Sequence, residues 1–224
     1  MTTQIGDIYK YDKVQYTCLE VSNKAPFNPW DYGFQPSEYI TSCIRGFWCE
    51  YEIADNRLIL QKLHIHDAND YYPMLNGVSI SPTERIFGHQ TYNHLNIALP
   101  YTGKVLLAAE YIEEYWTNKG YEWPYGYRKL CSLEFDDGKL TRTDDHCETA
   151  RIIREMLESE KKPEHDWGEE FIETLPADTR EKVWWIKVRK DRGKENMREF
   201  IEWLEENGMK EDAEAFREYY KAKE

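Results

Sequence analysis

The feature that most constrains this chain is a hairpin pattern that occurs twice. Residues 45–67, RGFWCEYEIADNRLILQKLHIHD, and residues 128–140, RKLCSLEFDDGKL, superpose without a gap. Cys49 falls on Cys131, Glu52 on Glu134, Asp55 on Asp137 and Leu58 on Leu140, while Ile53/Phe135 and Arg57/Lys139 are chemical equivalents. In the first copy Phe47, Cys49, Tyr51 and Ile53 alternate with Trp48, Glu50 and Glu52, the period-two pattern of a strand with one buried face. Asp55-Asn56 and Asp137-Gly138 supply two-residue turns, because Asp, Asn and Gly tolerate positive φ. On the return strand Leu58 and Leu60 share one face, but Leu63 and Ile65 share the other. That change of phase requires either a bulge near Gln61-Lys62 or cover on both sides of the strand. Two related hairpins predict two related sheet halves, each closing an upstream strand pair. Together they would make one antiparallel sheet or a partly closed barrel.

Two other segments extend this β-rich region. Ile5–Tyr11 and Val14–Val21 read as strands around Asp12-Lys13, with further strands at Leu95–Leu99 and Gly103–Leu107. Ala109, Ile112, Tyr115 and Trp116 stand at helical spacing, which predicts a helix over Ala108–Lys119 ended by Gly120. From Thr143 the pattern becomes helical. Asp144 or Asp145 can cap a first helix, with Glu148 completing a capping box, and Ile152, Ile153, Met156 and Leu157 form its apolar stripe. Trp167–Leu175, Asp178–Arg189 and a helical hairpin around Gly208 follow. The expected class is α+β: a β-rich core over 1–145 containing the repeat, and a helical extension over 146–224 packed on it.

Composition narrows the partners. Among 224 residues there are 17 Tyr, 8 Trp and 8 Phe, enough for a substantial core, and the formal net charge is −13. Such a charge opposes approach to nucleic acid or anionic membrane and favours a basic partner protein. The basic, Trp-containing run Val183–Lys194 is therefore read as a helix anchored by Trp184-Trp185, and not as a nucleic-acid site. The five cysteines are scattered without a CxxC pair, as in a reduced cytoplasmic protein. The N-terminal MTTQIGDIYKYDK has no apolar core of a secretory signal, and no run reaches membrane-spanning length.

Gly46-Phe47, Tyr51-Glu52-Ile53 and the following turn resemble the Gly-Tyr…Trp-Glu-Ile hairpin of a group of small, functionally uncharacterised bacterial proteins. Tyr101-Thr102-Gly103-Lys104, Gly120-Tyr121 and Leu133-Glu134-Phe135 with its Gly138 turn are similar to the rest of that group's core. The likeness covers about residues 40–142 and departs at Trp116–Gly120, where the group carries a Tyr-Val-His-Met-Gly run. It implies a bacterial β-rich fold and brings no activity with it.

Two sets of residues carry candidate chemistry. His64 and His66, two apart on a strand, point to one face and are followed by Asp67, a pattern that fits a divalent metal such as zinc. His89, His94, His146 or Asp70 could supply a third ligand; the plain alternative is a strand end with two histidines. Asp144–Cys147 places a histidine beside a cysteine, but adjacent residues at a helix start diverge by about 100° and make a poor catalytic pair. The second set is aromatic. Trp30 and Tyr32, Tyr71 and Tyr72, and Trp123 and Tyr125 lie in Pro- and Gly-containing connections, the elements that usually carry function. Gathered at one end of the sheet they would line a ligand-binding cleft; otherwise they plug the core. The leading expectation is a non-enzymatic binding protein, such as an inhibitor or immunity-like protein for a basic partner, with no cofactor. The second is a hydrolase-like enzyme using an aromatic cleft and a metal at His64/His66.

Overall fold

In a computed structural model of the chain, residues 3–115 and 123–158 are described, together with scattered helical positions between 184 and 217. The chain divides into two compact units, Met1–Glu164 and His165–Glu224. In the second unit Ile201, Leu204 and Ala213 form a small buried cluster, and Arg217 pairs with Glu205 at 2.7 Å. The Trp184 and Trp185 rings meet edge to face. Most residues of the other expected tail helices lie outside the described set.

The first unit is built on strands. Ten of them, among the described residues, form one mixed sheet: β1 (Ile8–Tyr11), β2 (Val14–Val21), β3 (Phe47–Ala54), β4 (Arg57–Ile65), β5 (Arg85–Ile86), β6 (His89–Tyr92), β7 (Ile97–Ala98), β8 (Gly103–Tyr111), β9 (Tyr127–Asp136) and β10 (Lys139–Asp145). One helix, α1 (Cys147–Glu158), packs against β9. The order β10-β9-β8-β2-β1-β3-β4 bends round until β10 meets β4 at Lys139 and Arg57, giving a ring that is not a barrel. β6 and β5 continue outward from β4, and β7 pairs separately with β4. The ring closes turn to turn. Leu58 N donates to Gly138 O (2.9 Å) and Leu140 N to Asn56 O (2.8 Å), so the two repeated hairpins meet at their tips.

Three expectations are corrected. The sheet is not purely antiparallel, because β1 pairs with β3 in parallel. The β1–β2 hairpin returns the chain to the end where β1 began, and the connection 22–46 keeps it there, so β3 starts in the same direction as β1. The helix expected over Ala108–Lys119 does not form at its start. Ala108 and Ala109 continue β8 to Tyr111, and Glu113–Tyr115 make a single 3-10 turn, while 116–119 lie outside the described residues. Alanine favours a helix locally, but here Ala108 is fully buried with Thr17 and Leu130 on either side, and pairing on both edges outweighs propensity. Third, the hairpins are equivalent while the sheet halves are not. Ile53 pairs with Leu58 as Phe135 pairs with Leu140, and Cys49 with Leu63 as Cys131 with Asp145. Their outer neighbours differ, parallel β1 for β3 and antiparallel β8 for β9.

The bulge is the correct reading of the β4 phase change. Register shifts where Tyr51 faces Leu60 and Glu50 faces Lys62, leaving Gln61 as the extra residue. β10 has its own shift between Leu140 and Arg142. The inward faces of both hairpins, including Cys49, Tyr51, Leu58, Leu63, Leu133 and Phe135, enter one core, which Phe27 and Phe34 from the first aromatic loop help to fill. Buried Asp7 ties β1 to the start of β3, accepting hydrogen bonds from Arg45 and from Cys49 N (2.8 Å). Burial works against the Arg45 charge, but the attraction and hydrogen bond of Asp7 outweigh it and hold the guanidinium above its ordinary pKa.

Candidate functional site

The bulge at Gln61 decides the chemistry of the outer face. With one residue taken out of phase, Leu63 and Ile65 turn into the core while His64 and His66 turn outward, beside Trp48 and Glu50 of β3. Antiparallel pairing with β6 then sets Thr91 opposite His64. The result is a closed polar stack. The His64 ring lies flat on Trp48, with centroids 4.6 Å apart and planes at 16°. Its Nε2 is 3.0 Å from Glu50 Oε1 and its Nδ1 is 2.9 Å from Thr91 Oγ1. A carboxylate only accepts, so His64 Nε2–H donates to Glu50, and in the neutral ring Nδ1 accepts the Thr91 hydroxyl. The hydrogen bond from His64 holds the Glu50 carboxyl below its usual range; burial pushes the other way and Lys62 assists.

This Thr–His–Glu row resembles a nucleophile, base and orienting acid, but its Thr and His are closed to a substrate in this structure. Thr91 and His64 are fully buried and Trp48 nearly so. A nucleophile must reach a substrate, and both ring nitrogens of the base are already committed inside the protein. The row is a satisfied network, buried at Thr91 and His64 and half-buried at Glu50.

His66 and His89 form the rim above it. His66 Nδ1 is 2.9 Å from Ser37 Oγ, and the Tyr39 ring covers His66 at 4.6 Å. His89 donates through Nδ1 to Phe87 O (3.1 Å), which leaves Nε2 with the lone pair; that atom is buried and has no hydrogen-bond partner. Burial lowers the His89 pKa, and the neighbouring His66 and His64 lower it further. Trp48 meets His89 at 4.9 Å and Tyr39 meets it at 6.2 Å, both edge to face. Tyr39 lies so close over Gly88 that a Cβ there would collide with its ring.

Of the expected ligand partners, His89 alone joins His64 and His66. His94 is exposed on a positive-φ turn, Asp70 is exposed on another, and His146 sits on the second hairpin with Nε2 2.8 Å from Ser132 Oγ. Asp67 turns away as well. Its carboxylate accepts from Gln35 N (2.5 Å), Asn69 N (2.9 Å) and Tyr71 N (3.2 Å), organising the loop after β4. Among the described residues no group of three or more His, Cys, Asp or Glu is placed to hold a metal ion. At the other candidate pair, the Cys147 sulfur rests on the Leu130 backbone, and burial followed by Asp145 raises its pKa, the reverse of an activated thiolate.

The aromatic set divides. Phe27 and Phe34 plug the core, whereas Trp30, Tyr32 and Tyr71 are exposed and Tyr72 is half-buried. These two loops are neighbours: Ala68 N donates to Gln35 O (2.9 Å), and a Cβ on Gly33 would stand 3.9 Å from the Tyr71 ring. Trp30 meets Phe47 edge to face at 5.7 Å. Trp123 and Tyr125, stacked at 5.9 Å, do not join them. Following the register Glu50, Ile8, Thr17, Ala108, Leu130 across the sheet, Phe47 lies towards one end of the strands and Tyr111 and Tyr127, which adjoin Trp123 and Tyr125, towards the other. The expected single cleft from all three loops is therefore not what the sheet builds.

Sequence reasoning missed Trp48, Glu50, Thr91 and Tyr39 as neighbours of the histidines. A bulky aromatic at Trp48 on the polar face of β3 was the available sign that this face is covered. It also missed that His64 is repeated. With one bulge in each return strand, His64 opposite Trp48 corresponds to His146 opposite Leu130, and each imidazole bonds the equivalent residue of the preceding strand, Glu50 or Ser132. No protein-family model, curated protein or solved structure matches the chain, so the hairpin resemblance to the bacterial group stands on its residues alone.

Proposed function

We propose that this chain is a binding protein that docks a basic partner through the aromatic loops around the end of β4. One observation carries the reading. Among the described residues the exposed large apolar side chains are Trp30, Tyr32, Tyr39, Ile44, Tyr71, Met74 and Phe87, and all of them precede β6. Trp30, Tyr39, Tyr71 and Phe87 are 53, 57, 54 and 66% exposed, a poor use of aromatic surface unless something covers it. Tyr and Trp are also the side chains that most often anchor interfaces. A net charge of −13 speeds encounter with a cationic surface, and Lys or Arg of that partner would lie over the exposed rings. The chain makes such a contact within itself, with the Arg45 guanidinium 4.8 Å above the Phe47 ring. An inhibitor or immunity-like role fits this mode of action. The five cysteines are all free thiols, which suits the reducing cytoplasm. The hydrolase-like alternative needs His64 as a metal ligand, and the bonds of both its ring nitrogens to Thr91 and Glu50 weigh against it.

The test is co-precipitation from extract of the native host with the wild-type chain and with a Trp30→Ala/Tyr71→Ala double variant, followed by mass spectrometry. A basic protein captured by the wild type and lost with the double variant supports the reading. Capture that survives the double variant, or only acidic proteins captured, overturns it.

A further inference from the structure

His89 stands where a proton would be least welcome and most consequential. It begins β6 directly after the Phe87-Gly88 turn, and that turn is held under strain: Phe87 has φ +48, a left-handed conformation unusual for a bulky residue. The β5–β6 pairing of Ile86 with His89 and Arg85 with Gln90 flanks it, and two further contacts tie it down, His89 Nδ1–H to Phe87 O and Arg85 Nε to Gly88 O, both at 3.1 Å. Tyr39 is seated on this turn, with its ring against Gly88, His66 and His89. The groups that face His89 bring it no negative charge: burial and the two neighbouring imidazoles oppose the proton and outweigh the Phe87 and Ile86 carbonyls, which favour it. From β4 come His64 and His66, from β3 Trp48 and from the 37–39 segment Tyr39; the Glu50 carboxylate is engaged by His64 and Lys62, and Arg85 on the adjoining strand is itself a cation. Among the described residues no carboxylate hydrogen-bonds to His89. A proton at Nε2 would create a buried donor with no acceptor and a buried charge beside two further imidazoles.

We propose that His89 is a pH-responsive latch: neutral, it holds the Arg85–His89 turn and Tyr39 in place, and protonated, it releases them. Two aromatics of the proposed docking surface, Tyr39 and Phe87, sit on the released part, so acidification would dismantle that side of the surface. This last consequence rests on the binding reading; the latch itself does not. The sign follows from linkage. In the opened segment His89 meets water and regains an ordinary imidazole affinity, about pH 6.5, while in the closed segment its affinity for a proton is lower. Above about pH 6.5 neither state binds the proton and opening is independent of pH. Below it the open state is favoured up to tenfold per pH unit, until the closed state also takes up the proton.

The experiment uses the full chain without a partner. Hydrogen exchange at 37–39 and 85–89, corrected for intrinsic rates, is followed between about pH 7 and about pH 4.5, with the titration of each histidine read by NMR. The wild type should show opening of these segments that steepens below about pH 6.5 while Leu63 and Leu133 stay protected. His89→Asn, which can keep the donor to Phe87 O but cannot be protonated, should remove that dependence. His66→Gln, which takes away one facing imidazole, should move the His89 midpoint upward, and it tests the latch even if His89→Asn fails to fold. Opening that is flat with pH in the wild type, unchanged pH dependence in His89→Asn, or a His89 midpoint unmoved in His66→Gln would each overturn the proposal. None of these readouts involves a partner, so failure of the latch is distinct from failure of docking at neutral pH.

Discussion

The ring depends on Gly138, and replacing it tests how the two hairpins meet. In Gly138→Ala the new Cβ would collide with Leu99 O and crowd Leu99 C, both backbone atoms that cannot swing aside. The residue also has φ +75. Holding alanine in that left-handed region costs about 1–2 kcal/mol. Retreat of the turn from Leu99 would break two backbone hydrogen bonds, Gly138 N to Tyr101 O (2.8 Å) and Leu58 N to Gly138 O (2.9 Å). At about 0.5–1.5 kcal/mol each these bring the total to about 2–5 kcal/mol. Gly77 is the internal control: its φ is +77, but a Cβ there meets nothing within 4 Å, so Gly77→Ala should cost only the conformational part, about 1–2 kcal/mol. The stiffening of the unfolded chain by alanine is common to both and cancels in the comparison. Urea unfolding by near-ultraviolet circular dichroism measures the difference. Hydrogen exchange at the Leu58 and Leu140 amides, which carry the turn-to-turn contacts, shows where it arises. If Gly138→Ala is no costlier than Gly77→Ala, or if both amides keep their protection, the hairpin tips do not close the ring.

His64→Ala should destabilise the first unit by about 2–4 kcal/mol in urea unfolding, because it opens a void under Trp48 and strips the Thr91 hydroxyl and Glu50 of their partner; isothermal titration with zinc should give identical curves for the wild type and a His64→Ala/His66→Ala variant. The depressed Glu50 pKa contributes stability that is present above the ordinary carboxyl value, about 4.3, and is lost as pH falls through the lower folded value. Stability measured down the acid range should therefore fall less steeply in Glu50→Gln than in the wild type, and parallel profiles would remove the His64 hydrogen bond as the cause. Asp145→Ala should cost about 1 kcal/mol by removing the 2.8 Å bond to Cys147 N at the start of α1, as thermal unfolding would record, while Asp144→Ala should cost less.

Much of the strand framework was legible because it rests on local chemistry. Alternation fixed the inward faces of β3 and β9, and both Asp55-Asn56 and Asp137-Gly138 adopt the positive-φ turns their side chains permit. Cys49 and Tyr51 could be placed in the core from the pattern alone; the pattern offered Asp144 or Asp145 as the cap, and the structure gives the bond to Asp145 while Glu148 pairs with Arg151. Pairing between distant segments was another matter. Nothing in Ile8–Tyr11 announces a parallel partner in β3, and Ala108-Ala109 carries helical preference into a strand. Preference is a property of a few neighbouring residues, whereas the ring is settled by which edges are available when seven strands close on each other.

The candidate site divides along the same line. The sequence determined that His64 and His66 share a face, that aromatic side chains fill the connections, and that the chain is acidic. Tertiary structure decided everything that gives those residues meaning. A single bulge at Gln61 chose the outer face for the histidines, and β6 brought Thr91 to one of them and His89 to the other. It also placed Tyr39 on Gly88 and sent Trp123 and Tyr125 to the opposite end of the strands from Trp30 and Tyr71. The reason is geometric: spacing along a strand fixes which side a residue faces, but only closure of the sheet fixes what stands opposite it.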